Sequence, residues 1–239
     1  MNTFLDGLAC NPALPRSLVS RLVGLADGVL ALSLARRSDL SAADVQALMA
    51  LGDPDVVAAL LESGWVRPSS VPVTDVWMAL VVAEHPDAPP ELVRWLAAHP
   101  DPVVRARVAR LPRFLRPSPR GEPAPALTAA EIRVLVSEQG PSLSAARSPD
   151  CPPDLLHLMA ETAEEPEVLR AIARHPHASG ETLLLCLGDA QARHLAAAHP
   201  HLPVPMILKL LGSEFTAGPA ASNPSLPVEV MEELLNSTT

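Results

Sequence analysis

The sequence predicts an all-α chain in which about nine helical repeats of some 24–27 residues stack as a single solenoid domain over residues 1–239. Three observations predict it. Pro is frequent, at 27 residues, while Gly is only 11 and aromatics are 3%, with no Tyr, which suits short helices joined by rigid turns. The chain is 48% hydrophobic and 19% charged, too apolar for a disordered polymer. Small and aliphatic residues recur at a fixed spacing, the mark of units that cannot bury their apolar faces alone. No apolar run approaches the roughly 20 residues of a membrane span, so no membrane partner is expected.

The repeat register comes from an Ala-x-x-Pro step. Its anchors are Pro12, Ser38, Gly64, Pro86, Pro112, Pro149, Pro176, Pro200 and Pro224, spaced by 26, 26, 22, 26, 37, 27, 24 and 24 residues. Three positions earlier stand Ala9, Ala35, Leu61, Ala83, Ala109, Ala146, Ala173, Ala197 and Ala221, small in eight of the nine and so able to let neighbouring backbones approach closely. An aliphatic column ten residues after the anchor holds Leu22, Leu48, Leu96, Met159, Cys186, Leu210 and Leu234. Another, two residues after it, holds Leu14, Leu40, Ala88, Cys151, Ala178, Leu202 and Leu226.

Residues 85–112, HPDAPPELVRWLAAHPDPVVRARVARLP, are the clearest unit. Pro90 suits a first helical position and Glu91 the positive end of the helix dipole. His99-Pro100 ends that helix, because a residue preceding Pro is driven out of the α region. Asp101-Pro102 opens a second, shorter one as N-cap and first residue. Comparable second starts are expected at Asp27, Asp53, Thr74, Glu165, Asp189 and Ser213.

The period near 24, the turns Asn11-Pro12-Ala13-Leu14-Pro15 and Asn223-Pro224-Ser225-Leu226-Pro227, and the D-P-x-V-R-x-x-V-A-R segment at 101–110 resemble the leucine-rich repeat variant family. The resemblance covers almost the whole chain and implies a right-handed superhelix of alternating α- and 3₁₀-helices. A prototype of that family carries an N-terminal iron–sulfur cluster. Here Cys10 is the only cysteine near the N-terminus, and a cluster needs about four thiolates, so no cofactor is expected.

Departures from the register are the functional pointers. Unit 64–74 is irregular: GWVRPSSVPVTD, with Pro68 and Pro72, cannot hold a full first helix. Trp65, Trp77 and Trp95 fall in or beside it. They form either an aromatic partner-binding surface or a plug for the space the lost helix would fill. Residues 113–127 read as an inserted Pro/Arg-rich loop, a connector or a polyproline II ligand. Arg94, Arg105, Arg107, Arg110, Arg113, Arg116 and Arg120 face only Asp101 across 94–120, an excess of +6 in a chain of net charge -9. Arg105 to Arg120 is thus a second candidate contact. Arg36, Arg110, Arg147 and Arg174 each sit two residues before an anchor, so part of this charge belongs to the repeat.

His175-Pro176-His177 and His199-Pro200-His201 could offer imidazoles to zinc. The His175/His199 position, however, also holds Asn11, Ser63, His85, Ser148 and Asn223, and the His177/His201 position holds Asp39, Asp87, Asp150 and Ser225. Both want a short polar group bonding turn backbone, so no metal is expected. Cys151 and Cys186 fall in aliphatic columns. No GxSxG, GxxxxGK, HExxH or dinucleotide fingerprint is present, and no catalytic residue is assigned. Three separated cysteines without CxxC fit a reducing cytoplasm. The opening MNTFLDGLACNPALP lacks the regions of a secretory signal. Lys209 as the only Lys suggests a GC-rich bacterial source. The expected function is a non-catalytic protein-binding scaffold or adaptor. The alternative is nucleic-acid or polyanion binding through the Arg94–Arg120 segment, and an enzyme or metal-binding protein ranks third.

Overall fold

The computed structural model describes residues 3–109 and 129–237. Among them are α-helices and one 3₁₀ turn, without any strand. The first helix is α1 (Thr3–Cys10). It is followed by α2 (Arg16–Gly24), α3 (Gly28–Ala35), α4 (Ala42–Ala50) and α5 (Pro54–Glu62). After the 3₁₀ turn Pro68–Ser70 come α6 (Val76–Glu84), α7 (Pro90–Ala97) and α8 (Pro102–Ala109). Next are α9 (Ala129–Gln139), α10 (Leu143–Arg147), α11 (Pro153–Thr162), α12 (Pro166–Ala173) and α13 (Gly180–Cys186). The last are α14 (Ala192–Ala197), α15 (Val204–Leu211), α16 (Ala217–Ala221) and α17 (Val228–Asn236). Two compact units divide the chain: residues 16–121, and residues 1–15 with 122–239.

In unit 16–121, Asp27, Asp53 and Asp75 cap α3, α5 and α6, each carboxylate accepting a first-turn backbone N–H. Ser41 and Asp44 form a reciprocal capping box on α4. Burial pushes the Asp44 carboxyl up, but hydrogen bonds from Ser41 outweigh it and hold the group below the usual range. Helix α6 starts one residue later than the sequence suggests, because Asp75 bonds the Met78 N–H at 2.9 Å while Thr74 turns its hydroxyl to Asp75. The segment between α5 and α6 holds only the three-residue 3₁₀ turn, with Pro68 buried. Apolar clusters run from Val57 and Leu61 through Met78 and Val82, and from Ala79 and Ala83 through Leu96 and Val108.

In the other unit, α10 packs on α12, α12 on α14, α14 on α16, and α16 on α1. The helix that opens the chain thus takes the place after α16. Ala146, Ala173, Ala197, Ala221 and Ala9 line this row, all essentially fully buried. A larger side chain at any of them would force the helices apart. The closest approach is between α1 and α16. A Cβ added at Gly7 would collide with the Gly218 carbonyl oxygen and lie 2.8 Å from Ala221 Cβ. One added at Gly218 would meet the Thr3 carbonyl at 3.1 Å.

A ladder of buried polar side chains fastens the same row. Asn223 Nδ2 donates to the carbonyls of Ala197 and His199, both at 2.8 Å. Asn11 Nδ2 donates to those of Ala221 and Asn223, at 2.9 and 2.7 Å. His199 Nε2 reaches the carbonyl of His175 at 3.1 Å, and His175 Nε2 that of Ser148 at 2.8 Å. Each of these residues also closes its own turn, accepting the N–H two residues on: Ala13 and Ser225 through Asn Oδ1, His177 and His201 through His Nδ1. Nδ1 is therefore the acceptor and Nε2 the donor in both rings. Asn and His are interchangeable here because each offers one acceptor close in and one donor further out.

Candidate partner-binding surface

The three tryptophans occupy unit 16–121 but have different roles. Trp65 is half-buried and donates its indole N–H to the Arg37 carbonyl at 2.7 Å. Arg37 stands at the ladder position of its own segment, so Trp65 supplies the rung that the short Ser63 side chain does not. Arg37 is itself buried and binds Asp39 through Nε and Nη2 at 2.8 and 2.9 Å. Lacking an acceptor to close its turn, it holds the residue two positions on through a carboxylate. The guanidinium beside Asp39 keeps that carboxyl below the usual range. The sequence reading missed Arg37 because it sought short polar groups in this column.

Trp77 and Trp95 are 54% and 50% exposed. Helix α6 buries Met78, Ala79, Leu80, Val82 and Ala83, and α7 buries Val93 and Leu96, which leaves the indoles on the solvent side. Trp95 packs edge-on against His99, with ring centroids 5.6 Å apart. No ring contact joins the three indoles to one another among the described residues. A cavity of about 620 Å³ lies in the same unit, with Leu61 and Val81 as apolar walls and Glu62 and Glu84 at its edge.

The described members of the basic segment bond within their own unit. Arg105 Nη1 donates to the carbonyls of His99 and Pro100, both at 2.7 Å. Arg107 pairs with Glu84 at 3.0 Å, with both side chains roughly half exposed, a geometry worth about 0.5 kcal/mol. Arg94 contacts the Pro90 carbonyl at 3.4 Å. Arg110, Arg113, Arg116 and Arg120, like the 113–127 loop, lie outside the described residues.

His175 and His199 have both ring nitrogens bound to backbone. His177 and His201 place Nδ1 against the carbonyls of Cys151 and Ala178, at 3.4 and 3.0 Å. No group of three or more His, Cys, Asp or Glu side chains gathers to hold a metal ion among the described residues. Burial lowers the His199 pKa below 6.5 and pushes the Cys151 and Cys186 thiols up to about 11. Cys10 is exposed. No described helix is long and apolar enough to cross a membrane. Phe215, not singled out in the sequence, is 77% exposed. No protein-family model, curated protein or solved structure matches the chain.

Proposed function

We propose that this chain is a non-catalytic scaffold of the leucine-rich repeat variant kind, a bacterial cytoplasmic adaptor that binds a protein partner along its helical repeats. The observation that carries the reading is the exposure of Trp77 and Trp95 on two adjacent short helices. Half-exposed indoles lose apolar surface to water, and burying them against a partner is among the largest single contributions a contact can make. Trp65 belongs to the frame, since its N–H is already committed to Arg37. The column spacing of 24 to 27 residues and the Asn/His ladder support the repeat reading.

Affinity capture from a bacterial lysate with its nucleic acids intact, over a salt series, tests it. The scaffold reading expects a protein retained up to about 0.5 M salt, because apolar contacts are little screened. A bound fraction that is nucleic acid and falls away steeply with salt, as counterion release demands, would refute it in favour of polyanion binding.

A further inference from the structure

Residues 1–15 with 122–239 hold a second cavity, of about 470 Å³, that the tryptophan surface does not include. Three guanidinium groups line it: Arg147 at the end of α10, Arg170 within α12 and Arg174 just after α12. Glu167 is the one carboxylate in the lining, and it pairs with Arg170 at 3.2 Å. The guanidinium groups of Arg147 and Arg174 have no ion-pair or hydrogen-bond partner among the described residues. Pro149 and Pro176 supply apolar wall between the charges. An acidic chain of net charge -9 thus concentrates uncompensated positive charge at one concave place, and an anionic ligand would gain most there.

We propose that this cavity binds an acidic, extended peptide segment of a protein partner, with one carboxylate on Arg147 and a second on Arg174. Both arginines stand two residues before a repeat anchor, Arg147 at the end of α10 and Arg174 just after α12, and these two helices pack directly against each other. Packed helices lie about 8–10 Å apart, and a chain in the extended polyproline II conformation advances about 9 Å and completes one turn in three residues, which returns residues i and i+3 to the same face. A Glu-x-x-Glu spacing therefore fits the pair. This proposal rests on the scaffold reading but uses a surface separate from Trp77 and Trp95.

The test is fluorescence anisotropy of the full-length protein with a labelled peptide carrying Glu-x-x-Glu with Leu between. Controls are the same composition with adjacent glutamates, and a single-stranded oligonucleotide of equal charge. The proposal expects Arg147→Ala/Arg174→Ala to weaken the spaced peptide at least tenfold with helicity retained. Glu167→Gln, which removes the competing carboxylate, is expected to tighten it about threefold, a gain that misfolding would not produce. Equal affinity for the two peptides, preference for the oligonucleotide, no peptide binding, or no response to Glu167→Gln would overturn it. Capture of a partner through Trp77 and Trp95 alongside failed peptide binding would remove this inference and leave the scaffold reading standing.

Discussion

At Asn11, His175, His199 and Asn223, one acceptor closes the local turn and one donor reaches the preceding segment of the stack. Asn11 is fully buried, so Asn11→Ala leaves backbone groups unpaired and should cost about 2 kcal/mol, read as a lower denaturant midpoint. His199→Asn keeps both bonding roles and removes a titrating group. The folded state holds His199 below 6.5 through burial, opposed by its bond to the His175 carbonyl. It therefore binds fewer protons than the unfolded chain, and its contribution is complete above about pH 6.5 and lost as pH falls through the lowered value. His199→Asn should accordingly flatten the acid limb of a stability–pH curve while leaving the neutral value nearly unchanged. An acid limb identical to that of the wild type would contradict this. Trp65→Phe removes the indole donor to Arg37 and should cost about 1 kcal/mol in a urea titration.

Helices in this chain are short, and how close they can approach sets what holds them. Gly7 and Gly218 let α1 lie on α16, so Gly7→Ala should destabilise by about 2 kcal/mol. Gly24→Ala, at the end of α2 where an added Cβ meets nothing within 4 Å, should be neutral or stabilising by about 0.5 kcal/mol. Comparing the two thermal melts separates steric crowding from helix propensity. Much of this element scale can be read from sequence. The buried alanine column follows from small residues at a fixed interval, and Asp27 and Asp53 cap the helices they precede. The aliphatic column ten residues after each anchor is fully buried from Leu22 to Cys186. In the last two segments Leu210 and Leu234 are only half-buried, while the position three residues earlier, Ile207 and Met231, stays fully buried as it is at Val19, Leu156 and Leu183. The place of α1 beyond α16 was hidden from the sequence. Chain order puts α1 beside α2, whereas its packing on α16, with Gly7 against Gly218, and the Asn11 bonds to Ala221 and Asn223 tie it to the far end.

For the whole molecule, composition and period declare an all-helical chain, whereas the surface that meets a partner leaves a fainter trace. The three tryptophans drew notice together in the sequence because they flank one irregular segment. The structure separates them by chemistry, since Trp65 serves the frame and Trp77 and Trp95 face solvent. Sequence could not make that division, because it depends on which indole finds a carbonyl. The Arg147 and Arg174 column was visible, but that it opens on a cavity shared with Arg170 is a matter of three dimensions. The measurement closest to the central claim is the affinity of the captured protein partner for wild type and for Trp77→Ala/Trp95→Ala, with matched circular dichroism. The scaffold account predicts a loss of at least tenfold, about 1.4 kcal/mol, with helicity unchanged. Equal affinity in the two proteins would contradict it.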